Sequence, residues 1–334
     1  ITAYREGSTV TPIDFDALPG QDFDVPAYYN DDQFSQEFQM LYNGVRLSGV
    51  AGIYYLDGSA DGAFDLLLSA LGLTVYQAGK QDKENFSVYG DFTYDVTDQW
   101  SVSLGGRFTK DETTADVTRE LWLGMGSGSF DPTNTSSIFF VTQTGYEGLN
   151  REDEEFTPRI SVSYKPTDDL NIYATYAQGF KAGGFDPRAR ADLDTLGLSQ
   201  EGFGPEKVDS YELGIKGSFF DDRLLLNTAV FFAEYTDQQI TVQSGADSDN
   251  DGVNDTFVSS VFNAGSSEYT GLELEGSWFI NDEFTLMGNL GYIDAEIQEI
   301  LSAGTNIADQ FVTQNTPELQ GQLSLNYMRD FGSE

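Results

Sequence analysis

The residues best suited to binding chemistry form one short acidic run, Asp247-Ser248-Asp249-Asn250-Asp251-Gly252-Val253-Asn254-Asp255. Oxygen-bearing side chains at relative positions 1, 3, 5 and 9, a glycine at 6 and a backbone carbonyl at 7 follow the ligand spacing of a calcium loop. Asp247, Asp249, Asp251, the Val253 carbonyl and Asp255 are therefore candidate calcium ligands, although Val258 stands where such a loop places its bidentate glutamate. A neighbouring acid or water would have to complete the shell. The competing reading is a solvated acidic loop that uses Asp and Gly for turn chemistry.

Composition narrows the remaining chemistry. Cysteine and histidine are both absent, which removes thiolate sites, the usual general base and the commonest transition-metal ligand. The Ser-His-Asp mechanisms go with them, so the sequence argues against an enzyme and requires no cofactor. The 334 residues include 17 basic and 55 acidic side chains, a formal charge of −38. Such acidity argues against nucleic acid as a partner, because phosphate binding needs clustered Lys and Arg. With 25 Phe, 18 Tyr and 3 Trp the chain is too aromatic to be disordered.

The elements that must carry any site are strands. Phe86-Val88-Gly90-Phe92-Tyr94 alternates with Ser87-Tyr89-Asp91-Thr93, and Trp100-Val102-Leu104-Gly106-Phe108 with Ser101-Ser103-Gly105-Arg107. The same alternation recurs over Phe156–Tyr164 and Leu319–Tyr327. Side chains alternate faces along a strand, so each segment has one apolar and one polar face. About twelve strands are expected, near 1–6, 33–43, 46–57, 83–95, 100–110, 154–165, 170–181, 207–220, 223–238, 257–280, 283–297 and 317–331. Short connections such as Asn43-Gly44, Pro166-Thr167-Asp168-Asp169, Asp221-Asp222 and Asn281-Asp282 carry turn chemistry. Long ones, at 7–32, 58–82, 111–153, 182–206, 239–256 and 298–316, alternate with them.

Strict alternation of short and long connections is the habit of outer-membrane barrels, with short periplasmic turns and long extracellular loops. Trp100, Tyr164, Phe219, Phe220, Trp278, Phe279, Phe284, Tyr327 and Phe331 all fall near short turns, as an interfacial aromatic ring would. The polar positions (Glu212, Lys216, Glu273, Glu275 and Gln322 among them) would face a wide, wet or plugged lumen. The fold expected is an all-β, antiparallel up-and-down transmembrane β-barrel. No apolar run reaches the roughly 20 residues of a membrane helix; Phe64–Leu73 is too short.

Three stretches resemble the barrel of TonB-dependent outer-membrane receptors. They are Phe156–Arg188, with Tyr176-Ala177-Gln178-Gly179-Phe180-Lys181-Ala182-Gly183-Gly184-Phe185; Lys207–Gln239; and Phe262–Trp278. The resemblance implies roughly twelve strands of a barrel of about 22, residues 1–334 forming a partial barrel domain without its plug, the short box that contacts TonB, or the terminal aromatic strand. It implies a location in the outer membrane of a Gram-negative bacterium. It further implies contact with outer-membrane lipid and lipopolysaccharide, energising by a TonB–ExbB–ExbD complex through a plug, and uptake of a scarce nutrient such as a ferric siderophore or glycan. A passive porin-like channel and a structural or adhesive surface barrel are the alternatives.

Within that frame Arg107, Arg159 and Lys216 would meet the plug or an anionic substrate, unless inward acids such as Asp91, Glu212 and Glu273 neutralise them. The Phe180–Phe185 segment would either cradle a ligand at the mouth or, as the simpler reading has it, bend by its glycines while its phenylalanines anchor the upper interface. Loop aromatics Trp122, Phe139, Phe140, Tyr146 and Phe203 offer stacking surfaces without an assignable role. Net charge alone favours neutral or cation-bridged cargo over strongly anionic chelates.

Overall fold

The computed structural model describes residues 1–18, 20, 23–194, 198–247, 251–254, 256–302 and 305–329. The alternating segments become the strands β1 (Thr2–Asp14), β2 (Asp24–Asn43), β3 (Leu47–Leu68), β4 (Leu73–Asp95), β5 (Trp100–Leu123), β6 (Ile138–Thr167), β7 (Leu170–Lys181), β8 (Glu206–Phe219), β9 (Leu224–Ala246), β10 (Thr256–Phe279), β11 (Phe284–Ser302), β12 (Thr305–Asn306) and β13 (Leu319–Tyr327). Each pairs antiparallel with its predecessor as far as β11. The two-residue β12 caps the end of β11, and β13 pairs beside β11. Among the described residues, the outer edges of β1 and β13 have no partner strand. Among the described residues no helix is long and apolar enough to cross a membrane, which says nothing of crossing by strands.

Register gives the sheet its two faces. One cross-strand row reads Tyr94, Val102, Val162, Ala174, Leu213, Val230, Leu272, Tyr292 and Leu319, apolar across nine strands. Leu213, Val230 and Leu319 on it are 53%, 46% and 63% exposed, so no second layer covers this face. Leu323 and Leu325 are likewise open. Leaving so much apolar surface in water forfeits about 25 cal/mol per Å²; hydrocarbon removes that cost. The face is bounded below by Tyr42, Tyr94, Trp100, Tyr164, Trp278 and Tyr327, at the short-turn end. Trp100 stacks on Tyr164 at 4.4 Å, and Phe284 meets Tyr327 at 4.8 Å. It is bounded above by Tyr55, Phe86, Phe108, Phe156, Tyr176, Tyr211 and Phe232. Phe86 and Tyr94 lie on the two rings of one strand, and eight residues at about 3.3 Å each, tilted by about 40°, give a band of roughly 20 Å. Phe331 lies outside the described residues.

Connection lengths depart from the sequence expectation. The stretch 58–82 is not a loop: β3 and β4 pair without a break up to Leu68 and Leu73, closed by a tight turn over Ser69–Leu71. Most of 111–153 is strand too, and 7–32 shrinks to a connection between Asp14 and Asp24. Above the upper ring the outer face meets water, so nothing requires alternate residues to be apolar, yet the backbone ladder continues. The periodic signal stops where the membrane stops, and the strands do not. The connection between β7 and β8 stays long, as expected.

Candidate functional site

The described residues of that long segment, between Lys181 and Glu206, fold back onto the polar face of the hairpins rather than out into solvent. Its entry is fixed by the Asp153 carboxylate, which accepts from the Gly183 N–H at 3.0 Å while paired with Arg151. Gly184 and Phe203 exchange two backbone hydrogen bonds. Gly202 closes this bridge at φ +73°, where a Cβ would lie 2.5 Å from the Gly184 carbonyl oxygen; only glycine fits. Further on, Gln77 donates to the Pro187 carbonyl at 2.6 Å and Thr144 to that of Ala189 at 2.6 Å. The Asp186 carboxylate holds Arg188 and accepts from the Val261 N–H of β10 at 2.9 Å. The segment is thus a strap tied to β4, β6 and β10.

Phe185 is the strap's anchor. It is buried against Ala115, Leu149 and Tyr146, the main apolar cluster among the described residues. The expectation that Phe180–Phe185 anchors the upper interface fails for Phe185, because the glycines turn the chain inward and the ring follows. Nearby, Arg119 donates to Gln77 and Gln143 at 3.0 Å. Burial, then the neighbouring Arg190, draws it down to about 10, so it stays charged at neutral pH.

The polar face below the strap is a ladder of cross-strand rows on β2–β5. From the top these are Ala27-Phe64-Gln77-Arg119, Tyr29-Gly62-Gly79-Val117, Asp31-Ala60-Gln81-Ala115, Gln33-Gly58-Lys83-Thr113, Ser35-Leu56-Asn85-Asp111, Glu37-Tyr54-Ser87-Thr109 and Gln39-Gly52-Tyr89-Arg107. Small residues at Ala60, Gly62, Gly79 and Ala115 leave a depression of about 330 Å³, walled by Tyr29, Phe64, Val117, Phe185 and Pro187. At Gly79 a Cβ would stand 3.1 Å from the Pro187 ring, so the strap's approach depends on that glycine. Immediately beneath, sharing Asp31, Ala60 and Gln81, lies a polar depression of about 370 Å³ that carries Arg5, Lys83 and Arg107.

The cations of this wall are not equivalent. Arg5 pairs with Asp31 at 2.7 Å and Lys83 with the buried Asp111 at 2.9 Å. Arg107 has no carboxylate within ion-pair distance among the described residues. It donates to Ser87 at 2.8 Å and to Thr109 at 3.2 Å, and lies 5.4 and 5.7 Å from the ring centres of Tyr54 and Tyr89. Of the other two expected inward cations, Arg159 is neutralised by Asp91 at 3.0 Å. Lys216 lies 5.3 Å from the centre of the Tyr173 ring, whose hydroxyl donates to Glu212. The sequence reading singled out Arg107 but missed Arg5, Lys83 and the small-residue cradle. Only the register shows that Gly62, Gly79 and Ala115 share one hollow.

Of the five candidate calcium ligands, Asp249 and Asp255 lie outside the described residues. The Asp247 carboxylate accepts from the N–H groups of Asp251 at 3.1 Å and Gly252 at 2.7 Å, and Asp251 accepts from Val253 at 2.8 Å. Gly252 has φ +89°, the turn expected at the loop's sixth position. Among the described residues, no group of three or more acids is placed to hold a metal. Of the loop aromatics, Trp122 packs edge-on to Phe139, Tyr146 joins the Phe185 cluster and Phe203 bridges Gly184.

Comparison with known proteins gives this architecture its relatives. The family model described as TonB dependent receptor-like, beta-barrel, matches residues 2–333. The pesticin receptor of Yersinia pestis is 25% identical over 260 residues, covering 76% of this chain and 32% of the receptor. The probable TonB-dependent siderophore receptor PiuA of Acinetobacter baumannii is 23% identical over 214 residues, covering 64% and 24%. Among solved structures, the ferric yersiniabactin uptake receptor FyuA from Yersinia pestis superimposes with a TM-score of 0.72 at 21% identity, over 98% of this chain and 44% of that one. The chain thus spans about a quarter to a third of the length of these curated relatives.

Proposed function

Because the chain belongs to the TonB-dependent receptor-like β-barrel family, we propose that it is the barrel portion of an outer-membrane receptor that takes up a scarce small-molecule nutrient. The supporting observation is the vestibule. A hollow walled by β2–β5 and the strap opens on the polar face, above an apolar band bounded by two aromatic rings. Solute would enter from the long-hairpin side and meet a built surface before reaching the membrane level. Energy would come from TonB with its ExbB–ExbD partners, acting on a plug domain, and lipid and lipopolysaccharide would cover the apolar band. Relatives named as siderophore receptors support a metal chelate as cargo over a glycan. The test is uptake by the full-length gene in a strain lacking its own receptors, with and without a protonophore. Accumulation abolished by the protonophore is expected; accumulation that persists would mean a passive pore.

The Asp247–Asp255 loop is proposed to bind calcium through Asp247, Asp249, Asp251, the Val253 carbonyl and Asp255, with water completing the shell. The intact barrel should then melt at a higher temperature in millimolar calcium, and Asp251→Asn should abolish the increment. An unchanged melting temperature would remove the claim.

A further inference from the structure

We propose that the outer face of the barrel carries a seat for one lipid molecule. Its acyl chain lies in a groove across β6–β11, and its head, bearing a positively charged amine, meets acids above the upper aromatic ring. The seat is on the face turned away from the lumen, and its occupant is independent of the cargo.

Register sets two outward rows two residues apart on these strands. The upper row is Ile160, Tyr176, Tyr211, Phe232 and Thr270, and the lower is Ala174, Leu213, Val230, Leu272 and Tyr292. Between them runs a groove of about 810 Å³. The ring centres of Tyr176 and Tyr211 are 5.1 Å apart and those of Tyr211 and Phe232 6.3 Å apart, a continuous upper wall. The Tyr176 hydroxyl donates to Asp209 at 2.6 Å, so it is already satisfied. The intervening positions along the groove, Thr175, Glu212, Phe231 and Gly271, turn their side chains to the lumen. There Glu212 accepts from Tyr173, and the Phe231 ring covers Gly271, where a Cβ would stand 2.4 Å from it. These four give the groove a backbone floor, and the Glu212 charge is not in it.

Dimensions and charge name the occupant. Two residues at about 3.3 Å set the walls about 6.6 Å apart, and five strand spacings of about 4.8 Å make the groove about 24 Å long. An α-helix, about 10–12 Å across with its side chains, is too broad to lie in it. A single hydrocarbon chain fits, since one leaflet of a core about 30 Å thick asks a chain to span only about 15 Å. The groove is continuous with the apolar band, so a chain enters it sideways from the bilayer without crossing water. Above it the acids choose the head. Asp294 stands in the ring row beside Thr270, and Asp209, Glu234, Glu268 and Glu296 cross β8–β11 two residues higher. The nearest base on β8, Lys207, is paired with Glu155 at 2.9 Å. A phosphorylated head without an amine would meet this row as like charge, whereas an ammonium would meet it as opposite charge. A second copy is disfavoured on the same ground, because a two-fold contact at the groove sets the acid row against its own image.

The test is native mass spectrometry of the purified full-length receptor in mild detergent. Equal amounts of palmitoyl-oleoyl phosphatidylethanolamine and palmitoyl-oleoyl phosphatidylglycerol are added, and the lipid retained is counted. One molecule of the amine-headed lipid should stay bound, in preference to the anionic one by about fivefold or more, the worth of one charge at a membrane surface. Ala174→Phe, which puts a ring into the groove, should cut its retention by a similar factor. Leu325→Phe, on the same face outside the groove, should change nothing. Glu234→Gln combined with Glu268→Gln should bring the two lipids to near parity. A gel-mobility shift on heating reports that each variant folds. Equal retention of both lipids by the parent, or retention that Ala174→Phe leaves intact in a folded variant, would mean ordinary boundary lipid and overturn the proposal. So would a dimer that Ala174→Phe abolishes, since a second copy would then fill the groove. Neither result touches the uptake test, which reads the lumen.

Discussion

Truncating Phe185 to alanine should open the strap without unfolding the sheet. The ring is 8% exposed and packs on Ala115, Leu149 and Tyr146. Removing a buried phenylalanine typically costs 3–5 kcal/mol. A cluster this small favours the lower end, about 3 kcal/mol, or roughly a hundredfold in a local equilibrium at 1.4 kcal/mol per decade. The remaining ties (Gln77 to Pro187, Thr144 to Ala189 and Ala191, Gln143 to Asp192, Asp153 to Gly183 and Asp186 to Val261) are single hydrogen bonds worth about 1 kcal/mol each, so the strap stays attached but opens more often by the share the ring contributed. The backbone ladder does not pass through Phe185, so the loss should stay local. Hydrogen exchange resolved by peptide is the assay. The amides of Gly184, Ala191 and Asp192, bonded to Phe203, Thr144 and Gln143, should exchange about a hundredfold faster. Those of β4 and β5 at membrane level should not change, and trypsin should gain access to Arg188 and Arg190. Faster exchange spread evenly over β3–β6, or none at the strap, would refute a locally docked strap.

Other consequences are open to measurement. The Asp65 carboxylate, on the hairpin above the membrane, accepts from the Ser127 N–H and hydroxyl, both at 2.6 Å. Burial first of all, with help from Glu120 and Asp131, pushes its pKa up despite those hydrogen bonds. The folded state therefore binds this proton more tightly than the unfolded one. The contact is firmest below the ordinary carboxylate range and weakens as pH rises through the raised value. Proteolysis of the loop over 124–137 should follow that trend, and Asp65→Asn should flatten it. Above the upper aromatic ring, Asp57, Glu84, Glu112 and Glu152 stand in one cross-strand row, and Asp209, Glu234, Glu268 and Glu296 in another. Like charges directly opposite are destabilising, so the melting temperature should rise by a few degrees between low and moderate salt. Gly79→Val would press on Pro187 and should loosen the strap, so that the Gly184 amide exchanges faster while the barrel still folds.

Sequence periodicity made the membrane-level strands legible because hydrocarbon on one side forces apolar residues at every second position. Phe86–Tyr94 and Trp100–Phe108 announce themselves for that reason. The upper hairpins were not legible. Gly58-Ser59-Ala60-Asp61-Gly62 and Thr113–Val117 read as loop because water on the outer face leaves composition free. The vestibule was hidden for a further reason. Its glycines and alanines have meaning only once register sets Gly62 beside Gly79 and Ala60 beside Gln81, and register over so long a ladder is set cooperatively. Arg107 could be placed on the inner face by parity. Its lack of a carboxylate partner depended on where Asp111 and Lys83 came to rest.

The strap binds parts of the chain that are distant in sequence. It touches Gln77 on β4 and Val261 on β10, positions that a flat ribbon of strands would hold far apart. The tie can close only after the wall has curled far enough to bring those strands across from one another. The hollow beneath the strap is accordingly a late product of assembly. A chain halted midway through assembly would present strands and aromatic belts but not the hollow beneath the strap, which would take shape only with the last step of closure.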